Sequence, residues 1–200
     1  MSGYDARTLA FYAADAPVYT ASGKLGVSRH LDRFLDRLPA GADILELGCG
    51  GGRDAAHMTA RGFTVDPTDG VAEIAAKAEA QLGRPVRVMR FGELDAAGRY
   101  DAIWASASLL HVPRCDLPDV VARVHRALRP GGLHFASYKG GGAEGRDRFG
   151  RYFNYLARAE LESIYHEAAV WDLLDISEGV GGGYDGAQGP WVQITLRRPL

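Results

Sequence analysis

The sequence predicts an α/β protein built on a doubly wound, mostly parallel sheet with helices on both faces. Three observations carry that expectation. Short apolar runs of strand type alternate with helix-type stretches over roughly 150 residues. A glycine turn, GCGGG at 48–52, follows the first of these strands. The last two strand-type runs are joined only by EGVGGGYDGAQG, which suits an antiparallel hairpin at one sheet edge with a mobile tip.

Taken in order, residues 4–20 and 28–38 read as two short amphipathic helices separated by TASGKLG. Pro39-Ala40-Gly41 closes that region, and ADILELG (42–48) is the first strand. Helix-type DAAHMTARG and strand-type FTVDPTD follow, then helix VAEIAAKAEAQLG and strand PVRVMRF. Next come strand YDAIWASASLL, helix LPDVVARVHRALRPGG and strand LHFASYK. Helix-type LARAELESIYHEAA leads to the final pair of strands, VWDLLDIS and PWVQITLRR. No repeat or coiled coil interrupts this order.

Composition narrows the function classes. Hydrophobic residues are 46% and charged residues 24% of the 200, the balance of a chain that buries a full core. The 23 Lys and Arg nearly cancel the 25 Asp and Glu, so long-range attraction to phosphate backbones or anionic lipid is weak, and neither nucleic acid nor a membrane is the expected partner. Cys49 and Cys115 are too few for a disulfide scaffold. No run approaches the roughly 18 apolar residues of a membrane span. The N-terminus, with its acids and tyrosines, lacks a signal-peptide pattern, so the expectation is a cytoplasmic protein. No clustered His, Cys and carboxylate set suggests a metal.

The glycine turn is the most informative segment. Without β-carbons a ligand can lie against the backbone, and the amides opening the next helix point toward it. A dinucleotide site favours GxGxxG, but the third position here is Arg53, which counts against a nicotinamide-dependent oxidoreductase. The spacing is Glu46-x-Gly48-x-Gly50-x-Gly52.

That spacing resembles motif I of the class I S-adenosylmethionine-dependent methyltransferases. Three further stretches resemble the same family: TDG at 68–70, YDAIWASASLLHVP at 100–113, and HRALRPGGLHFASYK at 125–139. Together they cover about residues 40–140. GRDAAHMTARGF and the SLLHVP…LPDVVARVHRALRPGG combination are similar to small bacterial members of the tellurite-resistance-like type, a likeness that does not identify an acceptor. The resemblance implies a Rossmann-like seven-stranded sheet of order 3-2-1-4-5-7-6 with the last strand antiparallel. It also implies one domain over 1–200, with residues 1–38 as a helical cap on a 39–200 core.

The cofactor implied is S-adenosylmethionine. By the resemblance, Glu46, Gly48, Cys49 and Gly50 pass under its methionine part. Asp66 and Asp69 compete for the ribose, and the family pattern selects Asp69, with Gly70 beside it; a plain helix cap is the competing role of Asp69. The turn after the third strand, Phe91-Gly92-Glu93-Leu94, would close on the adenine. Ala105 and Ser106 would leave room beside the sulfonium. Tyr19, flanking FYAADAPVY with Tyr12, would reach the cofactor, or else staple the first helix to the sheet.

For the acceptor side, methyl transfer needs alignment, exclusion of water and, for some acceptors, removal of a proton. His111 follows the fourth strand at the carboxyl edge, where such sheets place ligands, and is the candidate base, with a pocket wall as the alternative. Residues 139–158 hold five Lys and Arg against two acids. Lys139, Arg146, Arg151 and Tyr152 within them are the candidate acceptor contacts, with the glycine-rich stretch as a lid; a solvated loop is the alternative. The function expected is methyl transfer to a small-molecule acceptor, by a monomer or homodimer. A cofactor-binding sensor on the same fold is the alternative.

Overall fold

The structure is a computed structural model and describes residues 3–22 and 26–200. Residues 23–25 of the TASGKLG link therefore lie outside the described residues. The helices are α1 (Ala6–Ala21), α2 (Leu31–Leu35), α3 (Arg53–Ala60), α4 (Ala72–Leu82), α5 (Leu117–Ala127) and α6 (Arg158–Ala168). The strands are β1 (Asp43–Leu47), β2 (Thr64–Asp69), β3 (Arg87–Val88), β4 (Tyr100–Ala105), β5 (Leu128–Lys139), β6 (Gly145–Arg146), β7 (Tyr152–Phe153), β8 (Asp172–Gly182) and β9 (Gln188–Arg197).

Seven strands form one mixed sheet in the order β3-β2-β1-β4-β5-β9-β8. Neighbours from β3 to β5 run parallel, and β9 runs antiparallel to both β5 and β8. This differs in detail from the expected 3-2-1-4-5-7-6. Two short strands after β5, where the sequence showed only a glycine-rich loop, pair with each other outside the large sheet, so the last two strands are the eighth and ninth of the chain.

Alternation along the central strands divides the core in two. Leu45 and Leu47 of β1 and Ile103 and Ala105 of β4 face the apolar side of α5, and α6 adds Leu161 and Tyr165 to the same cluster. Ile44, Ala102 and Trp104 face the other way, onto Leu31, Phe34 and Leu35 of α2 and Met58 of α3. Trp104 and Phe135 stack there at 4.1 Å between ring centroids. This two-sided burial is what a parallel sheet requires.

α1 packs on α4, not on the sheet: Ala16 meets Val71 and Ile74, with Leu9, Tyr12, Ala13 and Tyr19 around them. Asp5 caps α1 by accepting from the Thr8 amide at 2.8 Å. α2 is shorter than expected, five residues instead of 28–38. Its approach is held in a turn, where the Ser28 amide donates to Asp54. β8 is longer than VWDLLDIS, because its ladder with β9 continues through Gly179–Trp191 to Gly182–Gln188. No helix among the described residues is long and apolar enough to cross a membrane.

Candidate active site

The site lies at the carboxyl edge of the sheet, around the turn that joins β1 to α3. Gly48, Gly50 and Gly52 have φ of +76°, +54° and +78°, a conformation that favours glycine. A β-carbon on Gly48 would stand 2.6 Å from Cβ of Ser108, so this position excludes a side chain on space as well as on φ. The Gly48 and Cys49 amides both donate to the Thr68 carbonyl, at 2.9 and 2.8 Å, pinning the turn to the end of β2.

Asp69 ends β2 and ties the turn to α4. Its Oδ2 accepts from the Gly50 amide at 3.1 Å, and its Oδ1 from the Val71 amide at 3.0 Å. Burial pushes its carboxyl up to about 6, against the lowering effect of these amides. Asp66 sits apart, accepting from Arg87 and from the Tyr100 hydroxyl at the outer part of β2. Of the two acids, Asp69 is the one at the glycine turn and on the wall of a cavity.

Glu46 is 3% exposed, and its Oε2 has no hydrogen-bond partner among the described residues. Burial holds its carboxyl well above the usual range, with Asp54 and Asp69 adding to the effect. A buried acceptor without a donor is costly unless a ligand supplies one. Cys49 packs against Ala75 and Ala78 of α4, and burial pushes its thiol up, away from thiolate chemistry.

Two cavities meet at this edge. The larger, about 440 Å³, is lined by Glu46, Cys49, Ser106, Lys139 and Arg151 among others. The smaller, about 80 Å³, is lined by Asp69, Gly70, Val71, Arg90 and Phe91 among others. Tyr12, Tyr19, Gly48, Gly50, Ala107 and His111 line both.

The wall between them is a hydrogen-bonded chain. His111 Nδ1 lies 2.6 Å from the Tyr152 carbonyl, and its Nε2 lies 3.0 Å from the Tyr12 hydroxyl. A carbonyl only accepts, so Nδ1 carries the proton and Nε2 accepts from Tyr12. Burial pushes the imidazole down to about 4, so it is neutral at pH 7. The Tyr12 oxygen in turn accepts from Arg151 at 2.7 Å. Arg151, 2% exposed, is held by Asp147 at 2.6 Å and has five aromatic rings around its guanidinium, Phe11, Tyr12, Phe149, Phe153 and Tyr184.

The structure also moves several expected residues away from the cavities. Leu94 is 1% exposed and belongs to the core against α5, because the chain turns inward after the Phe91–Glu93 turn. Gly92 lies under Gly3 instead of facing either cavity, and Glu93 folds back to accept from the Arg90 amide at 2.8 Å. Ala105 is buried in the sheet core, one residue short of the cavity that Ser106 lines. Arg146 is spent on Asp5, with two contacts of 3.0 and 2.8 Å, which clamps β6 to the start of α1. The Tyr152 side chain points away toward Glu144 and Arg114, and only its carbonyl reaches the site, at His111. Lys139 does line the larger cavity, over the Phe153 ring and 3.4 Å from Asp185.

Some lining residues carry no local sequence signal of their role. Gly181–Gly183 and Tyr184 of the last hairpin close the larger cavity, with the Tyr184 hydroxyl donating to Asp15 at 2.6 Å. The expected mobile tip is therefore tied to α1. Arg53, the residue that broke the dinucleotide pattern, donates to the Thr20 carbonyl at 3.2 Å and so anchors the end of α1. Ala107, at φ +53°, and Ser108 complete the floor beside Gly48.

A glycine turn that leaves its backbone bare, an acid at the end of the second strand and a cavity at the carboxyl edge define a nucleoside-cofactor enzyme of the open α/β class. A methyltransferase-domain family matches residues 20–174, and the chain belongs to that family, within the class I S-adenosylmethionine-dependent methyltransferases. The malonyl-[acyl-carrier protein] O-methyltransferase of Enterobacter lignolyticus is 33% identical over 129 residues, covering 62% of this chain and 50% of the relative. The chain spans about half the length of the curated relatives it matches. The fold is shared with 1,6-didemethyltoxoflavin-N1-methyltransferase of Burkholderia thailandensis, solved with S-adenosylhomocysteine (TM-score 0.76, 22% identity, 98% of this chain and 88% of that one). It is shared too with TehB of Haemophilus influenzae (TM-score 0.71, 14% identity, 94% and 67%).

Proposed function

We propose that this protein transfers a methyl group from S-adenosylmethionine to a small-molecule acceptor in the larger cavity. One observation carries the reading: six residues, from Tyr12 to His111, line both cavities, so a cofactor along Gly48–Asp69 and an acceptor beside Lys139 would share a boundary. The residues present fit the cofactor. The orphaned Glu46 Oε2 suits an ammonium donor, the bare Gly48 backbone admits close approach, and Asp69 offers remaining lone pairs to hydroxyls. Phe91 would supply an apolar surface to the base, and Tyr19 would cover the cofactor from α1.

The cofactor supplies a methyl group already activated by a sulfonium, so the protein's task is orientation and dryness. Tyr12, His111 and Arg151 form a fixed wall for that purpose. His111 has both nitrogens engaged and is neutral, which supports the wall over the general base. The acceptor would then be nucleophilic without a strong base. The Burkholderia methyltransferase of the same fold was solved with 1,6-didemethyltoxoflavin bound, and a compact ligand of that kind is the one proposed here. In this reading residues 1–38 cap a 39–200 core as one working domain.

The test offers radiolabelled S-adenosylmethionine to a panel of thiols, amines, phenols, carboxylates and tellurite or selenite. Label appearing in one acceptor class supports the proposal. Tight cofactor binding with no transfer to any class would favour the cofactor-binding sensor.

A further inference from the structure

The larger cavity adjoins a second hollow of about 100 Å³, and His30 and Gln193 line both. Alternation on β9 explains its chemistry. Val192, Ile194 and Leu196 turn into the core against α5 and α6, which sends Gln193 and Thr195 to the face beside α2. That face is apolar under Trp104 and Phe135 but polar here.

α2 and the turns on either side of it bring cations to this hollow. Arg29, Arg33 and Arg37 recur every four residues, which places them on one side of the helical stretch. Arg33 and Arg37 line the hollow, and Arg29 lines the adjoining cavity. The acids of the same stretch, Asp32 and Asp36, are drawn off by Arg61 at 2.7 and 2.8 Å. Among the residues lining the hollow the one carboxylate is Asp175, 3.4 Å from Arg33, while Glu46 and Asp54 line the adjoining cavity with Arg29. Arg29 and Arg37 have no carboxylate partner among the described residues.

The donor surplus continues on the floor. Gln193 is 6% exposed, and its Oε1 accepts from Ser177 at 3.3 Å. Its amide NH₂ has no acceptor among the described residues. An amide NH₂ open to the hollow, beside the exposed planar guanidinium groups of Arg33 and Arg37, is the complement of an oxyanion.

We propose that this hollow binds the oxyanion, a carboxylate or a phosphate, of an acceptor whose reacting end lies in the larger cavity. The inference rests on the reading of that cavity as the acceptor site. It makes the substrate a small molecule with an anionic tail, selected by Arg33, Arg37 and Gln193.

The test is a ligand-observed NMR titration of the protein saturated with S-adenosylhomocysteine. The probes are 4-phenylbutyrate, 2-phenylethyl phosphate and the neutral 4-phenylbutyramide. One or both anions should bind about tenfold tighter than the amide, and the stronger of the two assigns the oxyanion. Arg33→Gln with Arg37→Gln should erase that advantage, and Gln193→Leu should reduce it, with S-adenosylhomocysteine affinity unchanged. Equal binding of all three probes, no binding of any, or an advantage that survives the substitutions would overturn the proposal. Failure of the wild-type protein to bind S-adenosylhomocysteine would instead overturn the cofactor reading, and the same titration without it would still decide the anion preference.

Discussion

The Tyr12 hydroxyl donates to His111 Nε2 across 3.0 Å, joining α1 to the turn after β4 over 99 positions of sequence. Because His111 Nδ1–H is committed to the Tyr152 carbonyl, the imidazole is fixed in one tautomer and its basic nitrogen is covered. The arrangement makes a rigid partition, and it bears directly on how the site would work.

His111→Ala should act on acceptor binding more than on the chemical step. The expected result is a raised KM for the acceptor with kcat falling by less than about tenfold. The pH–rate profile should show no inflection from this imidazole near neutrality, since it titrates at about 4. A loss of about 10²–10⁴ in kcat would restore the general-base role.

Arg151 and Asp147 form a buried pair, with side chains 2% and 4% exposed. Arg151→Met leaves the carboxylate without its cation and should cost about 3–5 kcal/mol in urea denaturation. The double variant with Asp147→Ala should cost clearly less than the single one. Additive losses would show that the pair is not coupled.

Gly48→Ala meets both a φ of +76° and the Ser108 β-carbon at 2.6 Å. Backbone strain alone is worth about 1–3 kcal/mol, so thermal and chemical stability should both fall. Adding Ser108→Gly removes the clash but not the strain, and recovery should be partial. Full recovery would assign the whole effect to space.

Two buried histidines and three carboxylates raised by burial should pull the pH dependence of stability in opposite directions. His134, bonded to the Ile103 carbonyl and the Tyr165 hydroxyl, is pushed down to about 4 by burial, as His111 is. The unfolded chain, with histidines near 6.5, binds more protons between these values, so folding stability is present above about 6.5 and is lost as pH falls toward 4. Each contributes roughly 3 kcal/mol at most. Asp69, raised to about 6, opposes this between about 4 and 6, and Glu46 and Asp54, also raised by burial, act in the same direction as Asp69. In urea denaturation at pH 4.5 and 7, His134→Gln should lose less stability on going to pH 4.5 than the wild-type protein does. An unchanged difference in that variant would remove His134 from the account.

How much of this was legible followed from how local each cause is. The turn at 48–52 was readable because its demand for glycine is a backbone property, visible without knowing the neighbours. Strand–helix alternation was readable for the same reason, and it anticipated the order of every large element. The orientation of single side chains was not. Arg146 and Arg151 look alike in sequence, five residues apart, but one faces Asp5 at the surface and the other is enclosed by aromatic rings. Leu94 and Phe91 differ in burial only because the chain turns inward between them. The run EGVGGGYDGAQG reads as a free tip, and nothing local says that Tyr184 will find Asp15.

The central claim is that Gly48–Gly52 and Asp69 hold S-adenosylmethionine, and calorimetric titration with S-adenosylhomocysteine tests it most directly. The account predicts one site per chain in the wild-type protein and no comparable heat with NAD. It also predicts a loss of about 1.5–3 kcal/mol in Asp69→Ala, the worth of hydrogen bonds to a charged acceptor. Absence of S-adenosylhomocysteine binding, or preferential binding of NAD, would contradict it.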